Sequence, residues 1–143
     1  MIKKFLLIVI GIFVSICVNS QTLHAIIFAD TNDPSIGVYV KLDYINMTLE
    51  VNTIASATGM RLKKYFYEGS ICSPMNLAKT LDNLRTLKDD VIVFYYSGHG
   101  VRSINDKSLY PQMCLGSHYE QNFFPLEKVL TAVKSQPARL KIV

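Results

Sequence analysis

The sequence predicts an α/β domain built on a mostly parallel central sheet that is flanked by helices. Apolar runs typical of buried strands alternate along the chain with segments of helical periodicity, as in parallel sheets whose strands are joined by helices. One run, VIVFYYSGHG from Val91 to Gly100, begins with six consecutive apolar or aromatic residues, as expected for a strand buried on both faces. Two glycines then flank His99, at the end of the sheet where open α/β sheets bind ligands.

The first half of the domain contains two predicted strands and one long helix. Residues Leu23–Ala29 are apolar and end at the turn-rich sequence TNDPS, so they predict the first strand. Residues 36–58 alternate like a strand at their start, but no turn signal follows until Gly59. A segment of this length favours a helix from about Val40. Met60–Tyr67 predicts a second strand, and its basic side chains suit an edge of the sheet.

The second half adds two helices, two strands and an irregular segment. Ser73-Pro74 is a typical helix start, and the helix that follows leads to the strand Val91–Tyr96. Residues 101–119 have no helical period and predict a small hairpin or an irregular excursion. A third helix is expected from Phe124-Pro125, and Arg139–Val143 predicts a fourth strand. The predicted order is therefore β-α-β-α-β-hairpin-α-β.

Residues 1–20 have the pattern of a cleavable signal peptide. Two lysines precede the apolar run Phe5–Ile16, and small or polar residues then lead to Gln21. The apolar run is too short to span a bilayer comfortably, and the bulky residue before Cys17 disfavours lipoprotein anchoring. We therefore expect cleavage near Ser20/Gln21 and a secreted or periplasmic protein with no membrane partner.

Composition argues against several other classes of function. The formal charge of +4 includes the two lysines of the predicted signal peptide, and Lys63-Lys64 is the one basic pair of note beyond it. We therefore expect no nucleic-acid partner. Cys72 and Cys114 have neither CxxC nor Cys/His spacing, so we expect no metal site and no cofactor. An exported protein could still join these two cysteines in a disulfide.

The histidine between two glycines is open to several interpretations from its spacing alone. The segment from Gly98 to Ser103 comes close to GxGxxG, but the dinucleotide motif must open a helix, and a turn follows here. The hydrolase elbow GxSxG is absent, because Ser97 precedes Gly98. A histidine that merely packs or hydrogen-bonds at a strand end remains an alternative to a functional one.

The SGHG string at the end of an apolar strand, after two βα units, resembles the histidine strand of the caspase-like cysteine peptidases. The likeness is to metacaspases and related bacterial caspase-domain proteins, and it covers most of residues 22–143. It implies that residues 21–143 form a caspase-like domain with a three-layer fold, whose second strand lies at a sheet edge. It also implies a cysteine endopeptidase that cleaves a peptide or protein substrate.

The resemblance assigns roles to four residues. His99 corresponds to the base that exchanges a proton with the cysteine nucleophile, and the N–H of Gly100 corresponds to an oxyanion donor. Ser97 matches a residue that lines the pocket for the substrate's P1 side chain. Asp43, early in the first long helix, resembles the carboxylate that pairs with a P1 arginine or lysine. An ordinary charge in the first helical turns is an equal alternative for Asp43.

The nucleophile itself is missing from its expected position. In caspases the cysteine follows the histidine by about fifty residues, whereas the chain ends at Val143, inside the fourth strand. We therefore expect a domain truncated after that strand, without activity by itself. Cys114 lies in the excursion and Cys72 lies ahead of a helix, so a structural role is favoured for both. The acidic string that binds calcium in many metacaspases is reduced to Asp106.

A protein without catalytic activity is the main alternative function. A caspase-like fold could act as an interaction module or a pseudoenzyme. Its fourth strand, Arg139–Val143, would then be an edge strand that accepts a strand from another chain.

Overall fold

The computed structural model describes residues 21–102, 105, 107–116 and 122–143. The predicted signal peptide and Asp106 lie outside these described residues. In the part of the chain that is described, no helix is both long and apolar enough to cross a membrane.

The described chain folds into two sheets and three α-helices. In chain order the elements are β1 (Thr22–Ala29), α1 (Gly37–Thr58), β2 (Arg61–Glu68), α2 (Pro74–Asp82), β3 (Val91–Ser97), β4 (Gly100–Val101), β5 (Gln112–Cys114), β6 (Phe123–Pro125), α3 (Leu126–Lys134) and β7 (Leu140–Ile142). The larger sheet is parallel throughout, in the order β2-β1-β3-β7. The predicted parallel α/β architecture and the edge position of the second strand are therefore confirmed.

Helices cover the sheet on both faces, because its two central strands are apolar on both sides. All residues of β1 are buried, as is most of β3. One face of these strands packs on α1 through Val51 and Ala55. The other face packs on α2 and α3 through residues that include Leu77, Val129 and Val133. Buried apolar residues on both faces remove the alternation that a half-exposed strand would show.

Helix α1 begins at Gly37, three residues before the predicted start near Val40. The loop before it explains the early start. The Asp33 carboxylate accepts hydrogen bonds from the N–H groups of Ser35 and Ile36, and the Asp33 carbonyl accepts one from Gly37. A side chain at Gly37 would place its Cβ 2.6 Å from the Thr31 carbonyl oxygen. The strand-like alternation from Ile36 therefore belongs to the helix.

The segment after β3 forms the predicted hairpin, extended by one more strand. Strands β4, β5 and β6 make an antiparallel sheet in that order. The helix start predicted at Phe124-Pro125 is wrong by two residues: Phe124 pairs with Met113 in the sheet, and α3 begins at Leu126.

Strand β7 is shorter than predicted, since it pairs only with Val91–Val93 of β3. The predicted stop of α1 at Gly59 is confirmed, with a φ of 67°.

A buried histidine–carboxylate pair joins the strands at the amino end of the sheet. His24 Nε2 lies 3.2 Å from Asp90 Oδ2. Asp90 also accepts hydrogen bonds from the N–H groups of Thr22 and Leu87. Burial lowers the pKa of His24 below its ordinary value of 6.5, although the Asp90 carboxylate acts in the opposite direction. Burial would raise the pKa of Asp90, but these hydrogen bonds outweigh it and lower that pKa.

This pair predicts a loss of stability in mild acid. Because folding lowers the pKa of His24, the unfolded chain takes up a proton near pH 6.5 that the folded chain does not. The free energy of unfolding should therefore decrease as the pH falls through 6.5, and His24→Gln should remove this decrease. Urea unfolding between neutral and mildly acidic pH measures it. His99→Gln is the matched control, since it removes an imidazole without altering the buried pair. An unchanged pH dependence in His24→Gln would contradict the assignment.

Candidate active site at the carboxyl end of the sheet

The parallel pairing of β1 with β3 brings two loops together at one end of the sheet. Ala29 is the register partner of Ser97, and the N–H of Asp30 donates to the Ser97 carbonyl at 3.0 Å. The TNDPS loop that follows β1 therefore lies against the SGHG segment that follows β3. This is the end of an open α/β sheet where ligands bind.

The side chain of His99 contacts two residues of the TNDPS loop. Its Nε2 atom lies 3.2 Å from Ser35 Oγ and 3.4 Å from Asp33 Oδ2. The Ser35 hydroxyl donates to the other carboxylate oxygen, Asp33 Oδ1, at 2.6 Å. His99 is partly exposed, with 37% of its side chain accessible, whereas the Asp33 side chain is only 1% accessible.

Asp33 is ionised at every physiological pH. Burial would raise the pKa of its carboxyl group, but hydrogen bonds from the Ser35 hydroxyl and from the N–H groups of Ile36 and Ser35 outweigh this effect. Together with the nearby His99, they lower the pKa to about 2. A permanent negative charge therefore lies beside the imidazole.

The backbone of His99 is held by two hydrogen bonds to its carbonyl oxygen. The N–H of Cys114 donates to it at 2.9 Å, and so does the hydroxyl of Tyr96. The Tyr96 hydroxyl also contacts the Cys114 carbonyl. Gly98 makes room for this tyrosine, because a Cβ on Gly98 would lie 2.3 Å from Tyr96 Oη. The glycine before the histidine is thus required by packing.

The N–H of Gly100 points away from its neighbouring strand. Paired residues in an antiparallel ladder alternate between hydrogen-bonded and non-hydrogen-bonded pairs. The bond from Cys114 N–H to the His99 carbonyl makes His99 and Cys114 a hydrogen-bonded pair. The next pair, Gly100 with Met113, is then a non-hydrogen-bonded one. Pairing with β5 therefore leaves the Gly100 N–H to face outward from the hairpin, on an exposed residue.

Ser97 and Asp43 are in direct contact. The Ser97 hydroxyl donates to Asp43 Oδ2 at 2.7 Å. Asp43 lies in the second turn of α1 and borders a shallow pocket of about 290 Å³. Its lining also contains Asn46, Met47, Glu50 and Tyr95. The pocket therefore combines two carboxyl groups with the phenol of Tyr95, whose pKa is raised by burial and by the charge of Asp43.

A larger, mostly apolar cleft lies between the end of β3, the hairpin and α3. It has a volume of about 490 Å³, and both glycines beside His99 line it. Tyr110, Met113 and Leu130 form part of its apolar wall. The cleft is open along the part of β3 that β7 does not cover. A bound segment could therefore run past His99 at this position.

Neither cysteine that the structure describes has the environment of a nucleophile. Cys72 and Cys114 are free and buried. Burial, aided by the charge of Asp30, raises the pKa of Cys72 to about 12. Burial and the carboxylates of Asp30 and Asp33 also raise the pKa of Cys114. Because the thiolate is the reactive form, both groups are held in their unreactive state.

Among the described residues, no group of three or more histidine, cysteine, aspartate or glutamate side chains is arranged to hold a metal ion.

The residues predicted from the sequence fall into two adjacent groups: His99 with Gly100, and Ser97 with Asp43. Sequence reasoning missed Asp33 and Ser35, which both contact the imidazole. The signal that could have found them is the DPS turn at the carboxyl end of β1, next to the strand that carries His99.

Comparison with known proteins does not assign the chain to a family. No protein-family model, curated protein or solved structure matches it. We therefore infer its function from its own residues and from the resemblance of its SGHG string.

The packing around Gly98 predicts a strong difference between the two glycines that flank the histidine. Gly98→Ala should lower the free energy of unfolding by about 1–3 kcal/mol, because the added methyl group must displace the Tyr96 ring. Gly100→Ala is the matched control, since its Cβ would meet no atom closer than 3.8 Å. Urea unfolding of both variants measures the difference. Equal losses would show that the contact with Tyr96 is unimportant.

Proposed function

We propose that residues 21–143 are the histidine-bearing part of a caspase-like cysteine endopeptidase domain. The observation that carries this proposal is the hydrogen bond between Ser97 and Asp43. These two residues lie on different elements, and the resemblance assigns both to one substrate pocket. Their contact beside His99 supports that assignment, because a shared pocket requires them to be neighbours.

The proposed reaction uses the atoms at the end of β3. His99 takes the proton of a cysteine thiol, and the thiolate attacks the carbonyl carbon of a peptide bond. The outward-facing N–H of Gly100 binds the oxyanion that forms. The imidazolium then gives its proton to the departing amine as the C–N bond breaks. Water hydrolyses the resulting thioester and regenerates the thiol.

The pocket beside Ser97 supports cleavage after arginine or lysine. Asp43 and Glu50 contribute two negative charges, and Tyr95 contributes a phenol to the lining of the same pocket. A cationic side chain would be attracted by the carboxylates and could stack on the tyrosine ring. An acidic P1 residue would be repelled by the same charges.

We propose that the nucleophile is neither Cys72 nor Cys114 and belongs to residues that would follow Val143. The burial of both thiols and the raised pKa of each support this assignment. Residues 1–143, cleaved or not at the predicted Ser20/Gln21 site, would then bind substrate without hydrolysing it.

The first test of the proposal is turnover. We expect the 143-residue chain to give no cleavage of arginyl, lysyl or aspartyl reporter peptides above the rate of a His99→Ala variant. Release of a fluorescent leaving group measures the rate. Turnover that a thiol reagent blocks and that His99→Ala abolishes would contradict a nucleophile placed after Val143. Cys72 or Cys114 would then be the candidate nucleophile.

The second test is substrate binding without turnover. An acetylated arginine peptide amide should perturb the backbone NMR signals of Ser97 and Tyr95, and a citrulline peptide should not. Asp43→Asn should weaken binding of the arginine peptide by about tenfold, because it removes a charged acceptor. Asp82→Asn is the matched control, since Asp82 ends α2 on the opposite face of the sheet. Equal binding of both peptides would contradict a basic P1 pocket.

A second candidate function is an interaction module that pairs its edge strand with another chain. The observation that favours it is β7, whose three residues are all exposed and which includes Leu140 and Ile142. Natural proteins usually protect such edges with charge or a covering element. An extended segment of a second copy could add to this edge by backbone pairing.

Sedimentation of the chain at increasing concentration tests this candidate. Self-association that Ile142→Lys abolishes would support it, because a charge on the edge discourages pairing. Val38→Lys is the matched control, since Val38 is also an exposed apolar residue but lies on α1. A chain that stays monomeric would contradict pairing between copies.

A further inference from the structure

We propose that the outward face of α1 is a homodimer interface, on which a second copy of this chain packs its own α1 in antiparallel orientation. The proposal goes beyond the peptidase function and does not depend on it. It is carried by a row of exposed apolar side chains on a helix whose charged residues make their contacts elsewhere. The row consists of Val38, Leu42, Ile45 and Leu49, and we name it the outer row.

Helix α1 has apolar residues on two opposite faces. Its inner face, which includes Val40, Val51 and Ala55, is buried against the sheet. The outer row has the spacing i, i+4, i+7, i+11, which forms a single stripe along a helix. Each of its four residues is between 42% and 76% exposed. A helix that packs only on its own sheet would have polar residues at these positions.

The three charged residues of α1 contact groups away from the outer row. Lys41 forms an ion pair with Glu68 of β2. Asp43 accepts a hydrogen bond from Ser97, and Glu50 borders the same pocket beside the sheet. The outer row is therefore an uncharged surface. Depletion of charge is typical of the core of a protein interface.

Polar side chains beside the outer row direct their hydrogen bonds back to the helix. The Thr48 hydroxyl donates to the Ile45 carbonyl at 2.8 Å, and the Thr53 hydroxyl donates to the Leu49 carbonyl at 3.0 Å. The Asn52 amide donates to the Thr48 carbonyl. These donors keep their hydrogen bonds when a partner covers them, so burying them costs less than burying free polar groups.

The size of this surface is suited to a homodimer. Together with Tyr39 at its margin, the exposed fractions of the outer row amount to about three complete large side chains. This is on the order of 500 Å² on each copy, near the largest apolar patches that monomeric proteins expose. The flanking polar side chains add to this area, and a stable interface buries about 800 Å² on each partner.

The spacing of the outer row is symmetric, as a contact between identical surfaces requires. Its residues are separated by four, three and four positions. A two-fold axis between Leu42 and Ile45 therefore brings each Leu42 opposite Ile45 of the second copy, and each Val38 opposite Leu49. This pairing places the smallest side chain of the row against a larger one, which keeps the two helices evenly spaced. It also sets the helix dipoles antiparallel.

The charges of α1 favour a second copy over a membrane surface. A helix that lies on a membrane has basic residues along its polar face, which attract anionic lipids. The single basic residue of α1 is Lys41, and its charge is paired with Glu68.

Sedimentation equilibrium of wild-type and variant chains tests the interface. Leu42→Lys should raise the dissociation constant of the dimer by about a hundredfold, because each copy would bury an unpaired charge. Leu87→Lys is the matched control and should leave the dimer unchanged, since Leu87 is a similarly exposed leucine in the loop before β3. A wild-type chain that stays monomeric at about 1 mM would overturn the proposal. Equal weakening in both variants would also overturn it.

Disulfide cross-linking tests the orientation. A mixture of Val38→Cys and Leu49→Cys chains, oxidised with glutathione disulfide, should give a cross-link between positions 38 and 49 in peptide mapping. Val38→Cys alone should not cross-link to itself, because antiparallel helices hold the two copies of position 38 about 16 Å apart. A cross-link between two copies of position 38 would contradict the antiparallel arrangement.

Two other results would identify a different contact and overturn the proposal. A dimer that Ile142→Lys abolishes and Val38→Lys preserves would be paired through β7, whereas the outer row requires the opposite result. A monomeric chain that binds phosphatidylglycerol vesicles, and loses this binding in Leu42→Lys, would show that the outer row contacts a membrane.

Discussion

The parallel pairing of β1 with β3 is the constraint on which the rest of the structure depends. Both strands are apolar on both faces, so both require helices above and below, and the sheet must lie inside three layers. Their register aligns Ala29 with Ser97. The loop that begins α1 and the loop that carries His99 therefore leave the sheet side by side. A shift of two residues in this register would move the Asp33 carboxylate well away from the imidazole.

The site combines rigid and open parts on a single strand end. Buried Asp33 and the Tyr96 hydroxyl fix the side chain and the backbone of His99, respectively. The Gly100 N–H and the pocket at Asp43 remain accessible from outside. Chemistry on a peptide needs this combination, because preorganised groups avoid the cost of rearrangement while the substrate still has to enter.

Composition and periodicity were sufficient to predict the layers, the parallel sheet and the edge position of β2. Composition and periodicity do not predict the position of a side chain that is determined by a local hydrogen bond. Asp30 and Asp33 both follow β1, but Asp30 is fully buried and Asp33 reaches His99. The DPS turn sets this difference through side-chain bonds that have no periodic signal. Phe124 was assigned to a helix start because the cross-strand partner that holds it, Met113, is distant in sequence.

The short pairing between β7 and β3 defines a distance along the sheet. Leu140 is level with Val91 and Ile142 with Val93, while His99 follows the end of β3 at Ser97. Any segment that occupied the vacant edge in the same register would come level with Ser97 about four residues beyond Ile142. A segment only a few residues longer would reach the imidazole. The register of the sheet thus determines which position of such a segment would lie beside the end of β3. A side chain at that position would be close to His99 without an intervening loop.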